Sequence, residues 1–216
     1  MRLKAVVFDW DLTLWNSWDI HMSLMNQTAA ALGLPSPEPA DLGREYSRPF
    51  LKHLEWFFPG DQKKVKDTYL GFYYSAVWQE RRLYPGVVEL LTQLKGDGYR
   101  TAILSDKQHI YGMPEFEHSD IGLTVDWALF FTEGMAPKPD PSGLHDVMRF
   151  LGVAPDECLY VGDSKRDIEC AQRAGAWSGA ALWASVEPEL VLAMNPEFCW
   201  EKVNDVGITL KLSRTE

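Results

Sequence analysis

Ala5-Val6-Val7-Phe8-Asp9-Trp10-Asp11-Leu12-Thr13-Leu14, close to the start of the chain, decides the fold. The apolar run that ends at Phe8 reads as an opening strand from Leu3, and two carboxylates follow directly where that strand stops. From about residue 84 onward the same kind of short apolar run alternates with helical patterns. Val87, Leu90, Leu91 and Leu94 fall on one helical stripe, Gly96-Asp97-Gly98 stops it, and Arg100 to Leu104 reads as a buried strand. Trp127 to Phe131 is another. Leu144, Val147, Met148 and Leu151 repeat the i, i+3, i+4, i+7 spacing, Gly152 closes that helix, and Cys158 to Val161 follows as a strand. Ser164 can cap a helix whose Ile168, Ala171 and Gly175 share a face, and Ser178 to Leu182 is a further strand. Strand and helix in alternation predict an α/β fold, a doubly wound, Rossmann-like parallel sheet with helices on both faces.

Residues 15–83 break that rhythm, so the core is expected at 1–14 and 84–216, with 15–83 as a helical insertion. Ile20, Leu24, Thr28 and Ala31 make one stripe, Leu51, Leu54 and Phe58 a second, and Val65, Tyr69, Phe72, Tyr73 and Ala76 a third. Turn residues from Gly33 to Pro39 and at Pro59-Gly60 separate them, and Pro85-Gly86 marks the exit.

Composition narrows the function. The 216 residues hold 21 Lys and Arg against 31 Asp and Glu, a net charge of −10, which argues against an extended nucleic-acid or anionic-membrane surface. Cys158, Cys170 and Cys199 are widely spaced and suggest free thiols rather than a zinc site or a bridge network. The apolar run before Asp9 is too short for a secretory signal, and no stretch approaches the ~18 apolar residues of a membrane helix, so the cytosol is the expected compartment. An anionic ligand would need positive charge supplied locally.

Four polar signals fall where strands are expected to end: Asp9 and Asp11, Ser105 and Asp106, Lys138 within Pro137-Lys138-Pro139-Asp140-Pro141, and Gly162-Asp163. One such aspartate is most often a cap or turn former. In a parallel sheet, however, all four ends lie on one edge, where open α/β folds build their sites. Two like charges about 4 Å apart repel by ~4 kcal/mol at an effective dielectric near 20, so a carboxylate cluster there needs a cation or raised pKa values. Mg²⁺ together with Lys138 would balance ionised Asp9, Asp163 and Asp167 and leave a position for a phosphoryl oxygen.

At these residues the chain resembles the haloacid dehalogenase superfamily, in its phosphatase branch with an inserted helical cap, like the phosphoglycolate phosphatases. The resemblance runs through Asp9 to Ser17, Leu104-Ser105-Asp106-Lys107, Lys138 to Pro141, and Gly162-Asp163-Ser164-Lys165-Arg166-Asp167 with Ala171 and Ala174-Gly175. It implies Asp9 as nucleophile and Asp11 as general acid and base, with Ser105 hydrogen-bonding a phosphoryl oxygen. Lys138 would neutralise charge, and Asp9, the backbone carbonyl of Asp11 and Asp163 would hold Mg²⁺. Asp167 would act through a water or by orienting Lys138. The substrate implied is a small phosphorylated metabolite, hydrolysed through an aspartyl phosphate. A phosphomutase, or a phosphoryl-binding domain without turnover, are the rival readings; carbon–halogen hydrolysis would not need Asp11.

Two residues depart from the family pattern. Leu12 stands where a glycine is common and is expected to alter local packing; Asp106 stands where an asparagine usually follows, and would oppose a phosphoryl group unless it turns away or pairs with Lys107. The five histidines show no ligand spacing. Of the nine tryptophans, Trp15, Trp18, Trp56 and Trp78 fall in or beside the insertion and suggest an aromatic cap core. Arg44 and Arg48, expected in a segment joining cap helices, are the candidate cap contacts to substrate.

Overall fold

The computed structural model describes residues 3–46, 48–76 and 82–212. They separate into two compact units, Met1–Asn16 with Arg82–Glu216, and Ser17–Arg81.

The first unit is built on six strands, β1 (Ala5–Phe8), β2 (Arg100–Gln108), β3 (Trp127–Phe131), β4 (Cys158–Gly162), β5 (Trp177–Ala181) and β6 (Phe198–Trp200). Their order is β3-β2-β1-β4-β5-β6, every adjacent pair parallel. All four residues of β1 are buried, as expected of a central strand covered on both faces. The chain leaves β1 for β2 on one side and reaches β4 on the other, so the strand order reverses at β1, where doubly wound sheets place their ligands. One face packs Val6, Phe8, Leu90, Leu91, Leu94 and Val206 together; the other packs Val7, Leu104, Leu144, Val147 and Tyr160.

Several sequence expectations need correction here. β2 is longer than expected and contains Ser105 and Asp106 rather than ending before them, because the strand runs on beside Phe130 and Phe131 of β3. The helix His109–His118, the strand β6 and the closing helices Pro188–Ala193 and Val203–Leu212 were not anticipated. Trp15 belongs to this core, stacked on Trp10 with centroids 5.2 Å apart.

Leu12 is more than a packing change. It is fully buried with φ +57°, the left-handed region in which an L side chain is strained by ~1–2 kcal/mol and a glycine is not. Leu12→Ala should lose the buried side chain and keep the strain, at about 2–5 kcal/mol. Leu12→Gly relieves the strain and should be the milder change by ~1 kcal/mol, an inversion of the usual order that chemical denaturation would show.

The second unit is helical: Ser17–Leu32, Pro39–Glu45, Phe50–Phe57 and Gln62–Ala76. The sequence suggested three helices; the second, opened by Pro39 at its first turn, falls where a linker was expected and carries Arg44. Ala31 and Leu51 face solvent, and Ala29 and Met25 lie in the buried stripe. The core of this unit is not the expected tryptophan cluster. Trp56 is exposed beneath Arg48, whose guanidinium sits 4.5 Å from the ring centroid, Trp18 meets Tyr46 edge-on, and Trp78 lies outside the described residues.

Its centre instead holds a histidine pair. His21 and His53 are buried with their Nε2 atoms 2.9 Å apart, His53 Nδ1 lies 2.8 Å from the Glu45 carbonyl, and His21 Nδ1 lies 2.8 Å from the Tyr69 hydroxyl. A carbonyl only accepts, so His53 Nδ1 donates to it; neutral His53 then accepts at Nε2, His21 donates there, and the Tyr69 hydroxyl donates to His21 Nδ1. Protonating His53 removes the acceptor, and burial holds its pKa below the usual histidine value. The unfolded chain therefore binds this proton more readily. Stability from the site is fully present above about pH 6.5 and is lost as the pH falls from there toward the folded-state value. The melting temperature should drop between pH 7.5 and 5.5, and His53→Gln should drop less over the same interval.

Candidate active site

The carboxyl ends of β1 and β4 bring three buried carboxylates together. Asp9 follows β1 and Asp163 follows β4, while Asp167 lies in the first turn of the helix Lys165–Ala174. One carboxylate oxygen from each lies within 4.8 Å of the others. Gly162 makes this possible, because a Cβ there would sit 2.3 Å from the carboxyl carbon of Asp167. Lys138 supplies the positive charge, its Nζ 2.6 Å from Asp167 Oδ1 and 3.0 Å from Asp9 Oδ1.

The four groups are held unequally. Asp167 Oδ1 takes the Lys138 ammonium and lies 3.1 Å from the Tyr160 hydroxyl, while Oδ2 accepts from the backbone N–H and hydroxyl of Ser164 at 3.0 and 2.6 Å. Although burial opposes its charge, Lys138 and Ser164 hold the Asp167 carboxyl below the usual range. Ser164 occupies the expected cap position, with its hydroxyl spent on this carboxylate. Asp163 accepts from the Thr13 hydroxyl at 3.1 Å, and burial with two neighbouring carboxylates drives its pKa well up. Asp9 Oδ1 is buried in an ion pair that lacks hydrogen-bond alignment, and burial, against the pull of Lys138 and with Asp167 and Asp11 adding to it, raises the carboxyl to about 7.

That oxygen, without an aligned hydrogen bond and among hard carboxylate donors that one lysine does not neutralise, fits a small divalent cation such as Mg²⁺. The Asp11 carboxylate lies outside the cluster and turns to Lys107, whose Nζ is 2.9 Å from Asp11 Oδ1. Ser105 is buried within β2, its Oγ 3.3 Å from the Lys107 backbone N–H.

Asp106 is paired with Arg166 rather than with Lys107: Oδ2 accepts from the Arg166 guanidinium at 2.8 Å and Oδ1 from the Lys138 backbone N–H at 3.0 Å. Arg166 also donates to the Lys138 carbonyl, 2.8 Å from Nε. Together the pair clamps the backbone that carries Lys138. The quoted motif contained Arg166, but nothing in its spacing marked it as a clamp.

In the helical unit Arg44 is drawn to Asp41 and Arg48 to Glu45, each one turn away.

With this geometry in view, residues 6–181 match the model of the haloacid dehalogenase-like hydrolases. The chain belongs to that family. A pyrophosphatase PpaX from Bacillus cereus is 27% identical over 211 residues, covering 95% of each chain. A phosphoglycolate phosphatase from Colwellia psychrerythraea is 30% identical over 154 residues, 70% of this chain and 68% of that one. A haloacid dehalogenase-like hydrolase from Streptococcus pneumoniae superposes with a TM-score of 0.83 at 21% identity, covering 97% and 99%, which supports the fold. This haloacid dehalogenase-like hydrolase is a phosphatase, as its curated relatives are named. Among the described residues no helix is long and apolar enough to cross a membrane.

Proposed function

We propose that this phosphatase hydrolyses the phosphomonoester of a small soluble metabolite through an aspartyl phosphate on Asp9. The observation that supports it most is the buried Asp9–Asp163–Asp167 set with a single lysine at the point where the strand order reverses. Asp9, Asp163 and the backbone carbonyl of Asp11 would hold Mg²⁺. Bound there, the cation would lower the cost of charge on a phosphoryl group and let Asp9 stay ionised.

Asp9 attacks phosphorus, splitting one displacement into two. Asp11 gives the leaving oxygen a proton and takes one from the incoming water. Ser105 hydrogen-bonds a phosphoryl oxygen, and Lys138 offsets negative charge on the transferring group. With both oxygens of Asp167 engaged, orienting Lys138 is its role. Asp106 serves through its backbone and through the Lys138 clamp.

The relatives' names divide between a phosphate ester and a phosphoanhydride. An acid two residues after the nucleophile favours the ester, since an alkoxide needs a proton to leave far more than phosphate does. The helical unit Ser17–Arg81 acts as the cap that sets substrate choice. Arg44 and Arg48 reach substrate only by exchanging Asp41 and Glu45 for it, so replacing either should alter KM and substrate ranking more than kcat.

Phosphate release from a panel of metabolite monoesters, with Mg²⁺ and with excess chelator, tests the proposal. Metal-dependent release without an acceptor sugar is expected. Full turnover in chelator would remove the metal, release only with an acceptor would mark a mutase, and silence across the panel would leave a binding domain.

A further inference from the structure

Outside the metal-ligand set, the first unit holds a second charge pair, the half-buried Lys107 with the buried Glu115. Glu115 is 1% exposed, in the helix His109–His118, and a carboxylate so placed is costly unless paired. Its Oε2 takes the Lys107 ammonium at 2.7 Å and the Trp10 indole N–H at 2.8 Å. Lys107 in turn reaches Asp11 Oδ1. The path Trp10–Glu115–Lys107–Asp11 thus closes on two adjacent residues of the loop after β1. Trp10 is a firm end for it, fully buried, stacked on Trp15 and meeting Phe116 and Phe130 edge-on.

A buried ion pair contributes little net stability compared with apolar residues of like volume, so stability alone does not account for this one. We infer that Lys107, anchored by Glu115, is a positioning residue that fixes the Asp11 carboxylate for proton transfer. Among the described residues Asp11 is engaged by side chains through Oδ1 alone, which leaves Oδ2 to exchange the proton. The ammonium fixes the carboxylate, and the indole N–H fixes the carboxylate that fixes the ammonium. The inference rests on Asp11 being the acid and base of the proposed reaction.

Single-turnover rates of Asp9 phosphorylation by an alkyl phosphate and by 4-nitrophenyl phosphate test it, because only the alkyl ester depends strongly on a well-placed acid. Lys107→Met should lose about tenfold or more with the alkyl ester beyond its loss with the aryl ester. Glu115→Gln, which keeps shape and the indole contact, should shift the same ratio in the same direction by less, and Lys107→Arg should restore part of it. In an Asp11→Asn background Lys107→Met should add nothing with the alkyl ester. Equal losses with both esters, or an undiminished effect without Asp11, would make the pair structural and overturn the inference. If Lys107→Met does not fold, the ratio in Glu115→Gln decides alone. A wild-type enzyme that forms no phosphoenzyme would instead overturn the proposed reaction, a result distinct from either.

Discussion

Asp9→Asn is expected to abolish turnover, by roughly 10⁴-fold or more, and to leave no phosphoenzyme with any substrate, since the attacking oxygen is gone. The folded protein should survive the change. Asp9 sits ionised only against burial and two neighbouring acids, and its loss leaves Lys138 still paired with Asp167. Its melting temperature in chelator should equal or exceed that of the parent, as happens where a site holds charges that oppose folding. Asp11→Asn should fail differently. The nucleophile remains, and the loss with a poor leaving group should be about 10²- to 10⁴-fold. An activated aryl phosphate needs little protonation, so Asp9 is still phosphorylated while water attack lags, and intact mass should show phosphate accumulating. If both variants are silent and neither traps phosphate, the division of roles is wrong.

The parts of the site legible in the sequence are those bound to a strand end. Asp9 and Asp163 follow apolar runs whose burial fixes where the strand stops, and Lys138 stands out as a cation between prolines. Asp167 was legible for a related reason: it stands one turn into a helix whose start Ser164 marks. Glu115 and Arg166 were missed because their meaning is tertiary. Glu115 lies in a helix that carries Pro114 and buries a glycine beside its glutamate, so no apolar stripe announced the element. Arg166 reads as a surface charge until the backbone of Lys138 is folded against it.

The fold shows the same division. β1 and β4 are buried throughout and were readable as continuous apolar runs, whereas β6 is three residues with an exposed Cys199 at its centre. The final helix does bury Val203, Val206 and Leu210, a partial stripe that a short segment after an unrecognised strand did not bring forward. In the helical unit, tryptophan count misled because the indoles are spread over unrelated environments. The buried centre uses imidazoles and phenols, whose hydrogen bonds can be completed internally.

Lys138→Met should produce the largest combined effect on stability and activity. The side chain is 7% exposed and lies against Asp9 and Asp167, with Asp163 in the same cluster. Removing one partner of a buried ion pair leaves the others uncompensated, a cost of about 3–5 kcal/mol, and methionine supplies no donor in return. Arginine should not restore the parent, because a planar fork must enter a space that one ammonium fills. Divalent cation should recover part of the melting temperature, since whatever binds only the folded state stabilises it. It should not recover turnover. The cation offsets charge on the carboxylates, but the ammonium proposed to offset charge on the transferring group is absent, and losing one preorganised donor costs about 10²- to 10³-fold in kcat. Melting curves and single-turnover rates on the same samples, with and without Mg²⁺, separate the two effects. A variant that regains both with metal would make Lys138 a structural counter-ion, and its part in phosphoryl transfer would fall.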